Sequence, residues 1–151
     1  MNHLGYACIN QGFSTLPKSQ RITTNRTMIK RTFHDRGIEY ASELALQNLR
    51  DLHTILEWNL ENDIYFYRLS SNIIPWASEY DLVDMPNFGA IHAAALKAGN
   101  FARKHGMRLT SHPGPFNKLA SPKERVYKLT ETDLSVHGDL FDLIGLPRTP
   151  Y

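Results

Sequence analysis

The sequence predicts an α/β fold of about three strand–loop–helix units, with parallel strands that form part of a (β/α) barrel. Strand-like apolar segments alternate with helical patterns along the chain. The segments after the predicted strands are long and polar, whereas the returns at residues 62–63 and 105–106 are short. Right-handed crossovers place all the long segments at one end of the sheet, where such barrels carry their chemistry.

In the first unit, residues 4–9 predict a short buried strand, and the polar segment to residue 27 predicts a loop with little structure. Helical spacing predicts the first helix over residues 43–61. Its apolar stripe consists of Leu46, Leu49, Leu52, Ile55, Leu56 and Leu60.

In the second unit, residues 64–69 predict a strand, and the loop over residues 70–86 carries Trp76, which we expect to pack beneath it. Asn87 is expected to cap a helix over residues 88–105, which ends at Gly106.

In the third unit, residues 107–110 predict a strand that leads to His112, and the turn at residues 113–115 restricts the backbone beside this histidine. A capping box from Ser121 to Glu124, with Pro122 at the first helical position, predicts a helix that ends at Gly145. A complete barrel needs at least about 200 residues. We therefore expect residues 1–151 to be the N-terminal part of one barrel domain whose C-terminal part is missing.

Composition indicates a globular protein, with 42% hydrophobic and 21% charged residues. No apolar run reaches the roughly 20 residues needed to span a bilayer, so no membrane partner is expected. One cysteine cannot form an internal disulfide, which favours the cytoplasm over secretion. The net charge of +2 does not indicate nucleic acid, but residues 18–36 hold six of the 17 lysines and arginines. This segment is either a phosphate-contacting loop or a solvated one.

Polar side chains follow each predicted strand and should surround one mouth. His112 and Glu79 are candidate ligands for a divalent metal, because imidazole and carboxylate suit zinc, manganese or iron. Two ligands do not make a site, and structural roles remain the alternative. The hydroxyls, amide and guanidinium of residues 23–27 could cradle phosphate or cap their own loop. Phe116 follows a rigid turn and is expected to be exposed, where it could stack on a base.

Several blocks together carry a resemblance. They are Leu4-Gly5-Tyr6 with Asn10, and residues 23–27, 48–52, 67–71, 74–78, 112–114 and 120–122. In order and spacing these blocks resemble the UV-damage endonuclease (UvdE) family over essentially all 151 residues. The resemblance implies a TIM barrel with divalent metal ions, above all manganese, with zinc or magnesium as alternatives. It also implies an enzyme that nicks damaged double-stranded DNA on the 5′ side of UV photoproducts and abasic sites.

The resemblance makes His112 a metal ligand and places Glu79 where some members have a ligand histidine. It places Pro115 and Phe116 where many members carry Gln-Tyr, which probes the damaged pair. The residues predicted to meet DNA are Tyr6, Asn10, Thr24, Asn25, Arg26, Pro115, Phe116 and Asn117. No catalytic residue is identified within the chain.

Three functions follow as hypotheses. The first is a partial repair endonuclease that is inactive alone. The second is a DNA-binding or assembly half that pairs with a second chain supplying the missing strands. The third is a sugar isomerase-like TIM barrel, against which the basic loop at residues 23–27 and the expected exposed aromatics argue.

Overall fold

A computed structural model describes residues 4–147. Strands β1 (Gly5–Ala7), β2 (Phe66–Leu69) and β3 (Arg108–Ser111) form a parallel sheet in that order. The connections contain helices α1 (Gln11–Ser14), α2 (Lys30–Glu61) and α3 (Phe88–Lys104), and α4 (Glu124–Ile144) follows β3. The predicted α/β architecture with parallel strands and three units is confirmed. Among these residues, no helix has the length and apolar character required to cross a bilayer.

Within residues 4–147, the helices cover one face of the sheet. Tyr67, Leu69 and Leu109 are buried and belong to the core that the helices complete. Arg68 and Arg108 alternate with them along the strands and are exposed on the other face. In a closed barrel that second face would line the interior.

The core consists of leucine and isoleucine from α2 packed against small residues of α3, as their spacing predicts. Fully buried positions on α2 include Leu49, Leu52 and Leu56. On α3, Gly99 is buried against α4, because a Cβ atom there would lie 1.8 Å from the carbonyl oxygen of Ile144. The backbones of α3 and α4 are therefore in direct contact where Gly99 meets Ile144.

The first strand is shorter and less buried than predicted. It covers only Gly5–Ala7, and Leu4 and Ile9 on either side are 80% and 49% exposed. Since β1 is an edge strand that pairs only with β2 among the described residues, its apolar ends have no second neighbour to cover them. Cys8 follows with a φ of 62°, which ends the strand.

The first loop and first long helix also differ from prediction. The loop contains α1, and α2 begins at Lys30 rather than at residue 43. The helix is interrupted at Gly37, where φ is 65° and ψ is −160°. An L side chain rarely adopts this backbone, so glycine permits the bend. The segment before the bend lacks the leucine stripe, which is why periodicity did not reveal it.

Two predicted caps lack the expected side-chain bonds. Asn87 occupies the N-cap position of α3 as predicted, but its side chain makes no capping hydrogen bond, and its backbone N–H donates to Ser42 Oγ at 3.1 Å. Ser121 Oγ accepts from Lys123 N at 3.2 Å, so it closes a turn before α4. The helix then begins at Glu124, and the predicted capping box does not form. Gly145 ends α4 with a φ of 70°, as predicted.

Candidate functional site

The carboxyl ends of the three strands form one rim. The strands pair with Ala7 opposite Arg68 and Arg68 opposite Thr110. The segments that follow them therefore leave the sheet at the same edge. Asn10 after β1 and His112 after β3 consequently lie on a common side, as the topology predicted.

Asn10 organises the first segment of the rim from a buried position. It is only 4% exposed, its Nδ2 donates to the Tyr6 hydroxyl at 2.8 Å, and its Oδ1 caps α1 by accepting from Phe13 N at 3.3 Å. The Tyr6 hydroxyl in turn donates to Asn59 Oδ1 at 2.7 Å. Burial raises the pKa of Tyr6, although both asparagine contacts oppose this shift. The phenol therefore stays a neutral donor within this network.

A second buried network joins the β1 and β2 ends. The Tyr67 hydroxyl donates to Cys8 O at 2.8 Å and lies 3.1 Å from Thr24 Oγ1. Ser70 Oγ donates to Thr24 O at 2.8 Å. Thr24 is fully buried, and desolvation raises the pKa of Tyr67 well above its ordinary value. These hydroxyls form a polar layer beneath the rim.

Asn48 and Asp51 on α2 hold the 23–27 loop in place. Asn48 Oδ1 accepts from Arg26 N at 3.1 Å, while its Nδ2 donates to Arg26 O at 2.9 Å and to Ile73 O at 3.0 Å. Asp51 Oδ2 accepts from Thr23 N at 2.9 Å and pairs with Arg26 Nη1 at 2.6 Å. One face of α2 thus holds two loops in place: the first rim loop, residues 8–29 after β1, and the second rim loop, residues 70–87 after β2. The sequence offered these residues only as parts of a family block, without their role.

The polar groups of the 23–27 loop largely bind within the protein. Arg26 also donates to Thr23 O at 2.7 Å and to Arg21 O at 2.6 Å. Asn25 N donates to Thr23 Oγ1 at 3.2 Å, and Asn25 Nδ2 reaches Cys8 O at 3.5 Å. In this structure Thr24, Asn25 and Arg26 build the loop, and their contact with DNA stays a prediction.

The segment after β3 presents an exposed aromatic tip. Phe116 is 85% exposed, as expected, and Pro115 and His112 are also exposed. Asn117 is turned inward, where its Nδ2 donates to Gly114 O at 3.1 Å and also to Asp133 Oδ2 on α4. Asp133 of α4 therefore holds the segment that carries the exposed Phe116 ring.

His137 lies about one turn after Asp133 on α4. It is 5% exposed, and neither ring nitrogen has a hydrogen-bond partner among residues 4–147. Its Nε2 lies 4.0 Å from Asp133 Oδ2, beyond hydrogen-bond range. Burial lowers the pKa of His137, the Asp133 carboxylate opposes the shift, and His112 adds to it. No sequence pattern distinguished this buried imidazole from the other histidines of the helices.

The described residues do not complete a metal centre. No group of three or more histidine, cysteine, aspartate or glutamate side chains within residues 4–147 has a metal-binding arrangement. Glu79 is exposed and lines a cleft of about 870 Å³ that Glu131 and Asp139 of α4 also line, but His112 does not. His112 and Glu79 are thus not brought into one ligand set, and their metal roles stay predictions.

Comparison with known proteins places this chain. Residues 2–151 match the family described as UV-endonuclease UvdE. A putative UV-damage endonuclease of Acanthamoeba polyphaga mimivirus is 35% identical over 149 residues, covering 94% of this chain and 42% of that protein. The UV-damage endonuclease of Schizosaccharomyces pombe is 34% identical, covering 95% of this chain and 23% of that protein.

A solved structure agrees with the sequence relatives. The crystal structure of SacUVDE superposes with a TM-score of 0.81 at 28% identity, covering 95% of this chain and 46% of that one. The chain therefore spans less than half the length of these relatives. The match decides against the sugar isomerase-like alternative. The chain belongs to the UV-endonuclease UvdE family.

Proposed function

We propose that this chain is the N-terminal part of a metal-dependent repair endonuclease that nicks damaged double-stranded DNA 5′ of UV photoproducts and abasic sites. The family match over residues 2–151 carries the proposal. The common rim, with an exposed histidine and an exposed aromatic tip, supports it. Distorted DNA is easily bent and unstacked, so Phe116 would enter a lesion that has lost stacking more readily than an intact duplex.

The metal proposed here is manganese, with zinc or magnesium as alternatives. His112 is exposed at the rim and would supply one ligand, while Glu79 is the second candidate in this chain. Bound divalent ions would neutralise the scissile phosphate and acidify a water molecule. Since the described residues form no three-ligand set, the remaining ligands would come from the part of the relatives that this chain does not cover.

A groove beside β3 supports the need for further polypeptide. It has a volume of about 700 Å³ and runs between the outer edge of β3 and α4. Its lining includes Leu109, Ser111, Gly138 and Phe141. Among residues 4–147 no further strand pairs with β3, and such a strand edge can bind another strand through its backbone. A parallel strand from a second chain, or from a continuation of this one, would fill the groove and cover the open sheet face.

Nicking of a UV-irradiated plasmid in the presence of manganese tests the proposal. The 151-residue chain alone should leave the plasmid supercoiled. Addition of a polypeptide corresponding to the uncovered part of the mimivirus relative should produce nicked circles, and His112→Ala should abolish them. An unirradiated plasmid is the control. Robust nicking by the chain alone, or nicking that persists in His112→Ala, would contradict the proposal.

A non-catalytic DNA-binding or assembly half is the second candidate. The incomplete ligand set favours it, because the described residues can bind without any chemistry of their own. In that case damaged DNA would bind to the mixed halves, yet no combination with any divalent metal would cut it. Mixing therefore separates the two candidates in a single experiment.

A further inference from the structure

The N-terminal segment of α2, residues 30–36, carries exposed positive charge. Residues 18–36 contain six lysines and arginines but only one carboxylate, Asp35. Arg26 is engaged inside the protein, and Arg36 lies over the Tyr40 ring with its guanidinium carbon 3.4 Å from the ring centre. Within residues 30–36, Lys30 and Arg31 remain, and the Arg31 side chain is 88% exposed.

Lys30 and Arg31 are poorly placed for the stability of the helix. They occupy the first turn of the short helical segment that precedes the break at Gly37, and this turn holds no acidic residue. The helix dipole favours negative charge at this end and disfavours cations. Arg31 approaches Asp35 only at 3.9 Å, between side chains that are 88% and 67% exposed. Such a contact stabilises little, so the positive charge points to an anionic ligand.

Aromatic contacts fix the basic segment beside the rim. The Phe33 ring stacks on Trp76 of the second rim loop, with centroids 5.3 Å apart and planes 8° from parallel. Trp76 Nε1 also donates to Met28 O at 3.0 Å, just before the helix. The break at Gly37 separates this segment from the main axis of α2. Lys30 and Arg31 are thus held on a braced arm at the edge of the candidate site.

We propose that Lys30 and Arg31 bind the sugar–phosphate backbone of DNA, independently of sequence and of damage. This inference rests on the proposed function and extends it to a contact outside the rim itself. The two cations would hold the duplex across the flank of the site and position it for inspection by Phe116.

Salt dependence of binding is the measurement that tests this contact. The chain is titrated with a fluorescent undamaged duplex over a range of potassium chloride concentrations. Each lost phosphate contact reduces the slope of log K against log salt by about 0.9. The Lys30→Gln/Arg31→Gln variant should therefore have a slope smaller by about 1.8. Lys97→Gln/Lys104→Gln on α3 removes the same charge from exposed positions and should keep the wild-type slope.

Three results would overturn the inference. The slope could be unchanged in the Lys30/Arg31 variant, or it could fall equally in the Lys97/Lys104 control. Inorganic phosphate could also displace the duplex better than chloride at equal ionic strength, which would indicate a small-anion site instead. Nicking by the mixed halves separates this inference from the proposed function. An unchanged slope with intact nicking rejects only the basic arm, whereas wild-type halves that neither bind nor nick DNA reject both.

Discussion

Replacing Gly99 by alanine should destabilise the chain, whereas the same change at Gly138 should stabilise it. At Gly99 the new Cβ atom would lie 1.8 Å from Ile144 O and 2.7 Å from Ile144 Cγ2. Real Cβ contacts essentially never fall under 3.0 Å, so the two helices must separate. Overpacking of this kind costs about 1–3 kcal/mol. The separation also disturbs the bond from Arg103 Nη1 to Ile144 O, which is worth about 1 kcal/mol.

At Gly138 a Cβ atom would meet nothing within 4 Å. Alanine is favoured over glycine inside a helix by about 1 kcal/mol, and at Gly99 this gain offsets only part of the clash. We therefore expect Gly99→Ala to lower the free energy of unfolding by about 2 kcal/mol and Gly138→Ala to raise it by about 1 kcal/mol.

Urea unfolding followed by the fluorescence of Trp58 and Trp76 measures both changes. The m-value should stay constant, so that the midpoint shift reports stability. A Gly99→Ala variant as stable as the wild type would refute the close approach of α3 and α4. A destabilised Gly138→Ala variant would show that the exposed side of α4 is packed after all.

Three further predictions concern the rim. Asn48→Ala should lower the free energy of unfolding by about 2–4 kcal/mol, because it leaves buried backbone groups unpaired. The control Gln47→Ala, at an exposed position, should change it by less than about 0.5 kcal/mol in the same urea assay. Burial raises the pKa of Tyr67 in the folded state, so the chain should lose stability as the pH rises above 10.0, the ordinary pKa of tyrosine. Unfolding measured at alkaline pH checks this, and a Tyr67→Phe variant that loses as much stability as the wild type would contradict it. Phe116→Ala should leave urea unfolding unchanged, since the ring is 85% exposed. In a fluorescence titration it should weaken binding of the mixed halves to UV-damaged duplex by about 1–3 kcal/mol, and an equal loss on undamaged duplex would argue against a lesion probe.

The sequence predicted the units of this fold because their signals are local. The apolar stripe of α2 and the stop at Gly145 depend on residues close together in the chain. The kinked start of α2 was missed, since Phe33 is held by Trp76 from another loop. The predicted capping box failed for a local reason, because Ser121 Oγ accepts from Lys123 N two residues later and closes a turn instead.

The direction of polar side chains could not be predicted at the site. Residues such as Thr24 and Arg26 suit either phosphate or buried backbone, and their types are the same in both cases. Arg26 is held inward by Asn48 and Asp51, and Thr24 is held by Tyr67 and Ser70. All these partners lie more than 20 residues away in the sequence. The position of His112 at the rim was predictable, because parallel topology alone determines it.

The attachment of the rim loops to α2 has a consequence for assembly. Asn48 joins the backbone of the first loop to that of the second, and neither bond involves a strand beyond β3. The described residues alone can therefore order these rim loops, whether or not further strands complete a barrel. A second chain that completes the barrel would then bind loops that are already ordered. Its association would therefore not lose the conformational entropy of ordering them.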